Sequence, residues 1–361
     1  TIPAALAKDA NAYVLLSDGV HPVTSMITLA GGATVAGATP GCKAIVIATN
    51  TITDGSIFKL THADARLLNL AITTGYKGSG DYARGVYLDG RGLVDSCVIT
   101  NCRSLYCGGA GGGGVFLNNG GIVRKSVLDY NSTYASGGNN AQGHNVDMSG
   151  GLVESCMITR GGVRTGASSS GGGVWMTAGV VRGCLVANNT QGHDNPDGAT
   201  GVRISGGTLE NCTIANNFHG VSVQTKGLFI AGACTIRNCI VWANFNNGGT
   251  ANWAAYSYAA YAARNNCTTP ALPGTANITS DPYFADANNG DFRTGLSGVV
   301  DTAAALDWMT DAKDLDSRAR ILGAAPDMGC YEFAAAALVC GFDIATAGYL
   351  GNDEVTLTAR V

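Results

Sequence analysis

The chain has 361 residues, a formal net charge of −4 at pH 7, 46% apolar residues, 13% charged residues and 52 glycines. The acidic balance excludes the basic footprint that nucleic-acid binding requires. No apolar run reaches the ~18 residues that a membrane span needs. The glycine content and the low charge favour a turn-rich β architecture.

Residues 1–65 are predicted to form an N-terminal cap and the first coils of the fold. A short amphipathic stretch at 3–10 precedes apolar strands at 13–16, 25–29, 44–47 and 57–60. An open end of a stacked β structure exposes unpaired backbone, so a cap is expected there. Because the chain begins at Thr1 without a leader, we expect a mature N terminus of an exported protein.

Residues 66–244 repeat with steps of 27 to 30 residues, and acid and base alternate along one column of the repeat. The column consists of Asp95, Arg124, Glu154, Arg182, Glu210 and Arg237. A fixed period of this length predicts a solenoid. The alternation predicts that neighbouring coils touch here, because opposite charges attract and like charges repel. We interpret the column as a structural charge ladder.

A second column lies two residues later and is mostly cysteine. Its members are Cys97, Ser126, Cys156, Cys184, Cys212 and Cys239. An apolar residue follows each at the second position, and alternate side chains of a strand share a face. The column is therefore predicted to point inward as small apolar groups packed coil on coil. A turn is expected between the two columns, at Asn69, Ser96, Ser155, Gly183, Asn211 and Asn238.

Two further features complete each coil. A second corner carries residues that tolerate left-handed backbone, namely Gly75, Asn131, Gly161, Asn189, Asn217 and Asn244. A third strand then recurs at 85–88, 114–117, 146–148, 173–176, 201–204 and 220–223. Three short strands per coil predict an all-β, single-stranded parallel β-helix.

The regular period ends after Asn244, and residues 245–336 are expected to form a C-terminal capping segment. Residues 337–361 contain one or two further strands, too few to bury a core. Three cysteine pairs are candidate disulfides because they lie outside the inward column or pair locally. The pairs are Cys102 with Cys107, Cys234 with Cys239, and Cys330 with Cys340.

The coil region resembles the right-handed β-helix repeat proteins with the pectate-lyase-like fold. Motifs in the following segment resemble the choice-of-anchor Q domain. They are Asp281-Pro282-Tyr283-Phe284, Gly290-Asp291-Phe292-Arg293, Val300-Asp301, Asp314-Leu315-Asp316, Arg318, Arg320 and Asp327-Met328-Gly329-Cys330-Tyr331-Glu332. This resemblance implies export and display on a bacterial surface.

The final stretch, 337–361, resembles the first strands of an Ig-like or PKD-like sandwich. Two interpretations stay open for it. Either the domain is cut short, or its strands are donated to a neighbouring subunit, which would build a homopolymer through the chain ends.

The third strand is predicted to point one side chain per coil outward. These are Tyr87, Phe116, Asp147, Trp175, Arg203 and Ser222. Sugar rings pack against aromatic side chains, so Tyr87, Phe116 and Trp175 form a candidate glycan-binding face. The alternative is that a neighbouring loop covers these rings.

Catalytic candidates lie on this face and on the loops that enter it. They are His144, Asp147, His193, Asp194, Asp197 and Arg203. A lyase needs a base and a cation or Arg at the substrate carboxylate, whereas a hydrolase needs two carboxylates ~5–10 Å apart. The sequence shows no tight acidic cluster on neighbouring coils. No cofactor or metal is predicted, and calcium is the metal that the enzyme alternative leaves open.

The sequence thus favours an extracellular or cell-surface bacterial β-helix with a structural or adhesive role. End-to-end self-assembly and contact with a polysaccharide or cell-surface glycan are the two partner hypotheses that it leaves open, and no nucleic-acid partner is predicted. The first alternative is a polysaccharide lyase or glycoside hydrolase that acts on an acidic polysaccharide. A second alternative is a glycan-binding module without activity.

Overall fold

A computed structural model describes residues 1–50, 52, 55–74, 84–106, 112–135, 143–163, 172–191, 198–220, 226–334, 341–342 and 359–360. The chain is a parallel β-helix, as predicted, with strands from successive coils stacked in rows. Helix Ile2–Lys8 covers the N-terminal end and buries Ile2 against the core. Within the described residues, no helix has the length and apolarity to cross a membrane.

The first row carries the charge column. It contains Tyr13–Leu16, Thr34–Gly37, Arg66–Leu68, Leu93–Asp95, Ile122–Arg124 and Ala262–Arg264. The third row contains Ile27–Leu29, Ser56–Leu60, Arg84–Asp89, Val115–Asn118 and Trp253–Ala255. Four long strands in the described part begin in the third row and end in the first: Val146–Glu154, Val174–Arg182, Ala199–Glu210 and Lys226–Arg237. The two rows are thereby joined into one sheet.

The second row forms a separate parallel sheet. It contains Gly19–Val23, Ala44–Ala48, Leu70–Thr74, Val98–Thr100, Val127–Asp129, Met157–Thr159, Leu185–Ala187, Thr213–Ala215, Ile240–Trp242 and Cys267–Thr268. Short strands follow it at the next corner, at Arg103–Tyr106, Ser132–Ala135, Gly162–Val163, Thr190–Gln191, Phe218–His219, Phe245–Asn246 and Gly249–Thr250. These corner strands lead into the third row.

The core lies between the rows and contains the cysteine column. Cys97, Cys156, Cys184, Cys212 and Cys239 are each at most 1% exposed. Their thiols lie near backbone carbonyls of their own coil and the preceding one, as Cys212 Sγ does at 3.2 Å from Glu210 O and 3.6 Å from Val181 O. The column therefore packs as small buried side chains.

The predicted disulfides are wrong where the structure describes the cysteines. Cys102, Cys234, Cys239 and Cys330 are buried free thiols. Cys239 belongs to the inward column, and Cys102 also points inward, with Sγ 3.7 Å from Ile72 O of the preceding coil. The partners expected for Cys102 and Cys330, Cys107 and Cys340, lie outside the described residues.

Left-handed residues make both sharp corners of the coil. The first corner is as predicted, with positive φ at Asn69, Ser96, Ser155, Gly183, Asn211 and Asn238. At the second corner the prediction is wrong by one residue. Positive φ occurs at Asn101, Tyr130, Arg160, Asn188, Asn216 and Ala243. The residue after each of these faces inward instead, with a side chain at every one of these corners except at Gly161.

The inward asparagines of the second corner form a buried ladder. Asn189 Nδ2 donates to Asn217 Oδ1 at 3.0 Å, and Asn217 Nδ2 donates to Asn244 Oδ1 at 2.9 Å. Their amides also bond backbone groups of adjacent coils, as Asn217 Nδ2 does with Val186 O. Such bonds satisfy backbone groups that the turning chain leaves unpaired inside the core.

Gly161 interrupts this ladder because it has no side chain, and Asn145 fills the gap. Asn131 Nδ2 donates to Asn145 Oδ1 at 2.9 Å, and Asn145 Nδ2 donates to Asn189 Oδ1 at 3.0 Å. A Cβ on Gly161 would lie 2.6 Å from Asn145 Nδ2, so the glycine makes room for the substitute amide.

Two predicted boundaries of the coil region are wrong. The third-row slot after Arg203 belongs to Leu228, Phe229 and Ile230, with Arg203 opposite Phe229. Phe229 therefore occupies the slot that was predicted for Ser222, and Ser222 lies outside the described residues. The coils also continue past Asn244, since Ala262–Arg264 pairs with 235–237 and Cys267 pairs with Ile240.

The segment after the coils folds back over the outer face of the second row. Phe292, Cys330 and Tyr331 pack on Leu185, Ala187 and Ala215. Met328, Val299 and Ala303 pack on Ile240 and Cys267. Backbone bonds fix the contact, because Gly329 N donates to Asn238 O at 2.8 Å and Cys330 N donates to Thr213 Oγ1 at 3.1 Å.

Carboxylates organise this segment by accepting bonds from backbone N–H groups. Asp314 accepts from the amides of Asp316, Arg318 and Glu332 at 2.7 to 2.9 Å. Asp301 accepts from Ala324 and Ala325. The motif residues that resemble an anchor domain therefore hold loops in place. Beyond it, Gly341–Phe342 pairs antiparallel with Ala359–Arg360.

Arg320 is the central cation of the segment. Its side chain is 1% exposed, its Nη1 lies 2.6 Å from Glu332 Oε1, and its Nη2 donates to the carbonyls of Asp327 and Gly329. A buried guanidinium needs such partners to offset its desolvation. The motif arginine thus holds together the last part of the segment, from Arg320 to Glu332.

Candidate functional site

The outer side chains of the third row form one column in register. From the N-terminal end they are Thr28, Lys59, Tyr87, Phe116, Asp147, Trp175, Arg203, Phe229 and Ala254. Successive members lie about one strand spacing apart, ~4.8 Å. The column therefore places cations, aromatic rings and one carboxylate in a line along the solenoid.

The N-terminal part of this column contains a polar cluster around Tyr87, which we call the tyrosine site. It consists of Lys59, Tyr87, Asp89 and Asn118. Asn118 Nδ2 donates to Tyr87 Oη and to Asp89 Oδ1, both at 3.0 Å. Lys59 Nζ lies 3.2 Å from Asp89 Oδ2 and 4.9 Å from the centre of the Tyr87 ring. All four side chains are partly exposed.

The electrostatics of the tyrosine site follow from these contacts. Burial acts to raise the pKa of Asp89, but the bonds from Asn118 and Lys59 outweigh it and leave this pKa below the usual value. Burial, with the charge of Asp89, raises the pKa of Tyr87. At neutral pH the site thus holds an anionic carboxylate beside a neutral phenol and an ammonium group.

The faces of the aromatic rings in the column contact each other or a neighbouring cation. Tyr87 and Phe116 stack with centroids 5.1 Å apart and an interplanar angle of 17°. Arg84 Cζ lies 5.3 Å from the Phe116 ring, and Arg203 Cζ lies 4.0 Å from the Trp175 ring. Phe116 and Trp175 are only 7% and 9% exposed. The prediction that both rings are open platforms for sugars is therefore wrong.

Two of the catalytic candidates are buried. Asp147 is 4% exposed and lies in register between Phe116 and Trp175. His144 is fully buried, with Nδ1 2.8 Å from Thr133 Oγ1, and burial lowers its pKa to about 3. His144 is therefore neutral and is inside the protein rather than on a loop surface.

The other catalytic candidates are placed differently. Arg203 is partly exposed and lies two strands from Asp147 in the same column. His193, Asp194 and Asp197 lie outside the described residues. Within the described part of the chain, no group of three or more His, Cys, Asp or Glu side chains is arranged to hold a metal ion.

Sequence reasoning missed several residues of this face. The sequence did not indicate Phe229 because the glycine at 220 resembles the start of the strand, whereas strand Lys226–Arg237 supplies this slot. Phe229 continues into an aromatic group, with Tyr256 edge-on at 5.0 Å and Tyr258 stacked on Tyr256 at 4.9 Å. Asp89 and Asn118 are the last residues of their strands and pair with each other, each two residues after Tyr87 or Phe116. This shared two-residue spacing from an aromatic residue is the pattern in the sequence that could have indicated Asp89 and Asn118.

The charge column of the first row resolves into three separate ion pairs. Arg124 Nη2 lies 2.7 Å from Asp95 Oδ2, Arg182 Nε lies 2.7 Å from Glu154 Oε1, and Arg237 pairs with Glu210. Each arginine thus reaches the acid of the preceding coil. Glu154 also lies in register with Arg124 on its other side, but no ion pair within 4 Å links these two described residues. A cavity of about 510 Å³ lies beside them, under the segment around Lys313.

The comparisons with known proteins concern the coils. A protein family described as "Right handed beta helix region" matches residues 84–267. No curated protein matches the sequence significantly. Among solved structures, the pectate lyase Pel9A aligns with 12% identity and a TM-score of 0.49, over 91% of this chain and 90% of its own.

Two further solved structures are A-modules of mannuronan C-5 epimerases from Azotobacter vinelandii. AlgE4 aligns with 13% identity and a TM-score of 0.27, over 72% of this chain and 92% of its own. AlgE6 aligns with 14% identity and a TM-score of 0.24, over 73% of this chain and 92% of its own.

Proposed function

Because the chain belongs to the right-handed β-helix region family, we propose that it is an exported, non-catalytic rod that contacts carbohydrate through the tyrosine site. The observation that carries this proposal is the convergence of a phenol, a carboxylate, an amide and an ammonium group in one partly exposed part of the third row. Sugar hydroxyls bind to such groups, and the aromatic edge adds apolar contact.

Contact at this site is through hydrogen bonds rather than by stacking. One face of Tyr87 lies on Phe116, and Lys59 lies over its ring. A sugar would reach the phenol oxygen, Asp89 and Asn118 from the side of the solenoid. Neutral or basic sugars suit this site, since Asp89 is an acceptor at neutral pH.

The test is a glycan array followed by calorimetric titration of the best ligand. Tyr87→Phe removes only the hydroxyl and is expected to weaken binding about fivefold, the value of one net hydrogen bond. Tyr130→Phe is the matched control, because Tyr130 is 53% exposed and has Arg160 4.3 Å from its ring, but lies at a corner. Equal binding by wild type and Tyr87→Phe would exclude the tyrosine site.

Surface display is proposed on the resemblance of residues 281–333 to the choice-of-anchor Q domain. The carboxylate and arginine contacts above give these motif residues a folding role that is compatible with an anchor-type segment. The proposal is tested in the bacterial source by surface proteolysis of intact cells. Protection of the chain until the cells are lysed would contradict it.

End-to-end assembly is proposed for residues 337–361 acting on a neighbouring copy. Rods are expected in negative-stain images of the full chain, and deletion of 337–361 is expected to abolish them. Rods that persist after the deletion would show that these residues do not join the copies.

A polysaccharide lyase is the second candidate, favoured by one observation. Asp147 and Arg203 lie in the same column two strands apart, ~10 Å. A carboxylate and a guanidinium at this separation match part of what elimination from a uronate requires. The test is absorbance of unsaturated products on a uronate panel, which Arg203→Ala should abolish. If no substrate of the panel yields an unsaturated product, the lyase is excluded. The same assay measures whether activity depends on calcium.

A further inference from the structure

The charge alternation of the first row breaks at its C-terminal end. Arg264 lies directly opposite Arg237 on the next coil, where the pattern of the row calls for an acid. Like charges on neighbouring strands repel. Arg237 is held by Glu210, whereas Arg264 is exposed and has no ion pair within the described residues. The row therefore ends in a cation without a matching anion.

A cleft opens at this position. Its volume is about 470 Å³, and it lies between the first row and the chain at 305–308, which passes over it. We call it the arginine cleft. Its polar and aromatic lining consists of Arg182, Glu210, Arg237, Arg264, Asp307 and Trp308. Three guanidinium groups thus face two carboxylates.

Neither carboxylate of the cleft forms an ion pair with Arg264. Glu210 is bound by Arg237 through Nε at 2.8 Å, and Arg182 is bound by Glu154 outside the cleft. Asp307 is exposed and forms no ion pair within the described residues. Arg264 and Asp307 are therefore the two charges of the cleft without an ion pair there.

Trp308 forms the aromatic part of the lining. Its ring lies 4.7 Å from Arg182 Cζ, which places the indole against the first row. Its Nε1 is buried and has no hydrogen-bond partner among the described residues.

We propose that the arginine cleft binds an oxyanion, a sulfate or carboxylate group, between Arg237 and Arg264. The anion takes the place that an acidic residue occupies on the earlier coils. Guanidinium groups bind such groups by paired, charge-assisted hydrogen bonds. The oxyanion comes either from the free ion or from an anionic group on a glycan. This inference does not rest on the tyrosine site, which lies in another row.

The experiment is calorimetric titration of the full chain at constant ionic strength. The probes are inorganic sulfate, sodium acetate, and a sulfated oligosaccharide with its unsulfated counterpart. Binding of inorganic sulfate or acetate indicates a free-ion site. Binding of the sulfated oligosaccharide alone indicates a group carried on a glycan. No binding of any anionic probe overturns the proposal.

Variants locate the binding. Arg264→Gln is expected to weaken it about tenfold or more, the loss of a charge-assisted bond. Arg66→Gln is the matched control, because Arg66 is also exposed on the first row without an ion pair in the described chain. Equal effects of the two substitutions, or none from Arg264→Gln, would overturn the assignment to this cleft.

A charge reversal separates binding from folding. Arg264→Glu restores the alternation of the row, so it should abolish anion binding while the melting temperature stays the same or rises. A variant that melts lower and still binds the anion would contradict the proposal on both counts.

Discussion

The side-chain amide of Asn145 donates a 3.0 Å hydrogen bond to Oδ1 of Asn189, although the two residues are 44 positions apart. Asn145 precedes the third row, whereas Asn189 follows the second. Asn145 therefore reaches the asparagine ladder from a different part of the coil and completes it where Gly161 supplies no side chain. It also makes the asparagine ladder a good place to test what holds neighbouring coils together.

Asn145→Ala is expected to lower the free energy of unfolding by about 2 kcal/mol or more. The substitution leaves buried amide groups of Asn131 and Asn189 with one partner fewer, and such groups are costly inside a protein. Urea denaturation followed by circular dichroism measures the change. The control Asn247→Ala, in an exposed turn, should shift it by less than about 0.5 kcal/mol. Equal shifts would mean that the ladder adds no stability.

Removal of one partner from the charge row should cost more where the acid is buried. The Glu210 carboxylate is 5% exposed, so Arg237→Met leaves an unpaired buried charge and should destabilise by about 3 kcal/mol. The Asp95 carboxylate is 15% exposed and its partner Arg124 is 40% exposed, so Arg124→Met should cost no more than about 1 kcal/mol. Urea denaturation followed by circular dichroism measures the free energy of unfolding of both variants. A larger loss from Arg124→Met would contradict the role given to burial.

His144 predicts how stability depends on pH. Burial lowers its pKa from 6.5 to about 3, so between these values the unfolded chain binds a proton that the folded chain does not. The free energy of unfolding should therefore fall as pH drops below about 6.5, by up to about 1.4 kcal/mol per pH unit.

His144→Asn should remove this slope, while His62→Asn, at a half-exposed histidine, should leave it in place. Urea midpoints between pH 4 and pH 8 measure it. Parallel pH profiles for wild type and His144→Asn would show that the imidazole is not the group responsible.

The thiols should differ sharply in reactivity. Burial raises the pKa of Cys97 to about 12, and the rest of the inward column is at most 1% exposed. Cys42 is partly exposed, although burial also raises its pKa. Alkylation of the native protein and peptide mapping should therefore label Cys42 before Cys97 or Cys156. Rapid native labelling at Cys156 would be inconsistent with the packed column.

The first coil offers a test of self-association at the N-terminal end. Strand Tyr13–Leu16 has one strand neighbour in the described structure, and Tyr13 and Leu15 are 66% and 59% exposed. Leu15→Lys should reduce association in sedimentation velocity if this edge meets another copy. Leu296→Lys, at a 77% exposed leucine of the C-terminal segment, is the control. Identical profiles for all three proteins would place any contact elsewhere.

The sequence predicted the solenoid because its signal repeats. Asp95 and Arg124 occupy equivalent positions of successive coils, and such columns survive even when single residues vary. Asn145 shows the limit of this reasoning. It replaces a side chain missing at 161 from a different part of the coil, so no fixed spacing could reveal it.

The candidate site was harder to predict because exposure is set by neighbours that periodicity does not describe. Trp175 points away from the coil as expected, but its ring is covered and faces Arg203. Thr213 has the pattern of an ordinary outward residue, yet it binds Cys330, which is 117 positions later. Contacts between segments so far apart in sequence have no local signal.

The direction of the ion pairs in the first row limits how the rod can change length. Every pair in it joins an acid to the arginine of the next coil, as in Asp95 with Arg124. Insertion or loss of a single coil would bring two acids or two bases into register, whereas a change by two coils keeps every pair intact. The unit by which this protein can be lengthened or shortened, in nature or by design, is therefore a doublet of coils.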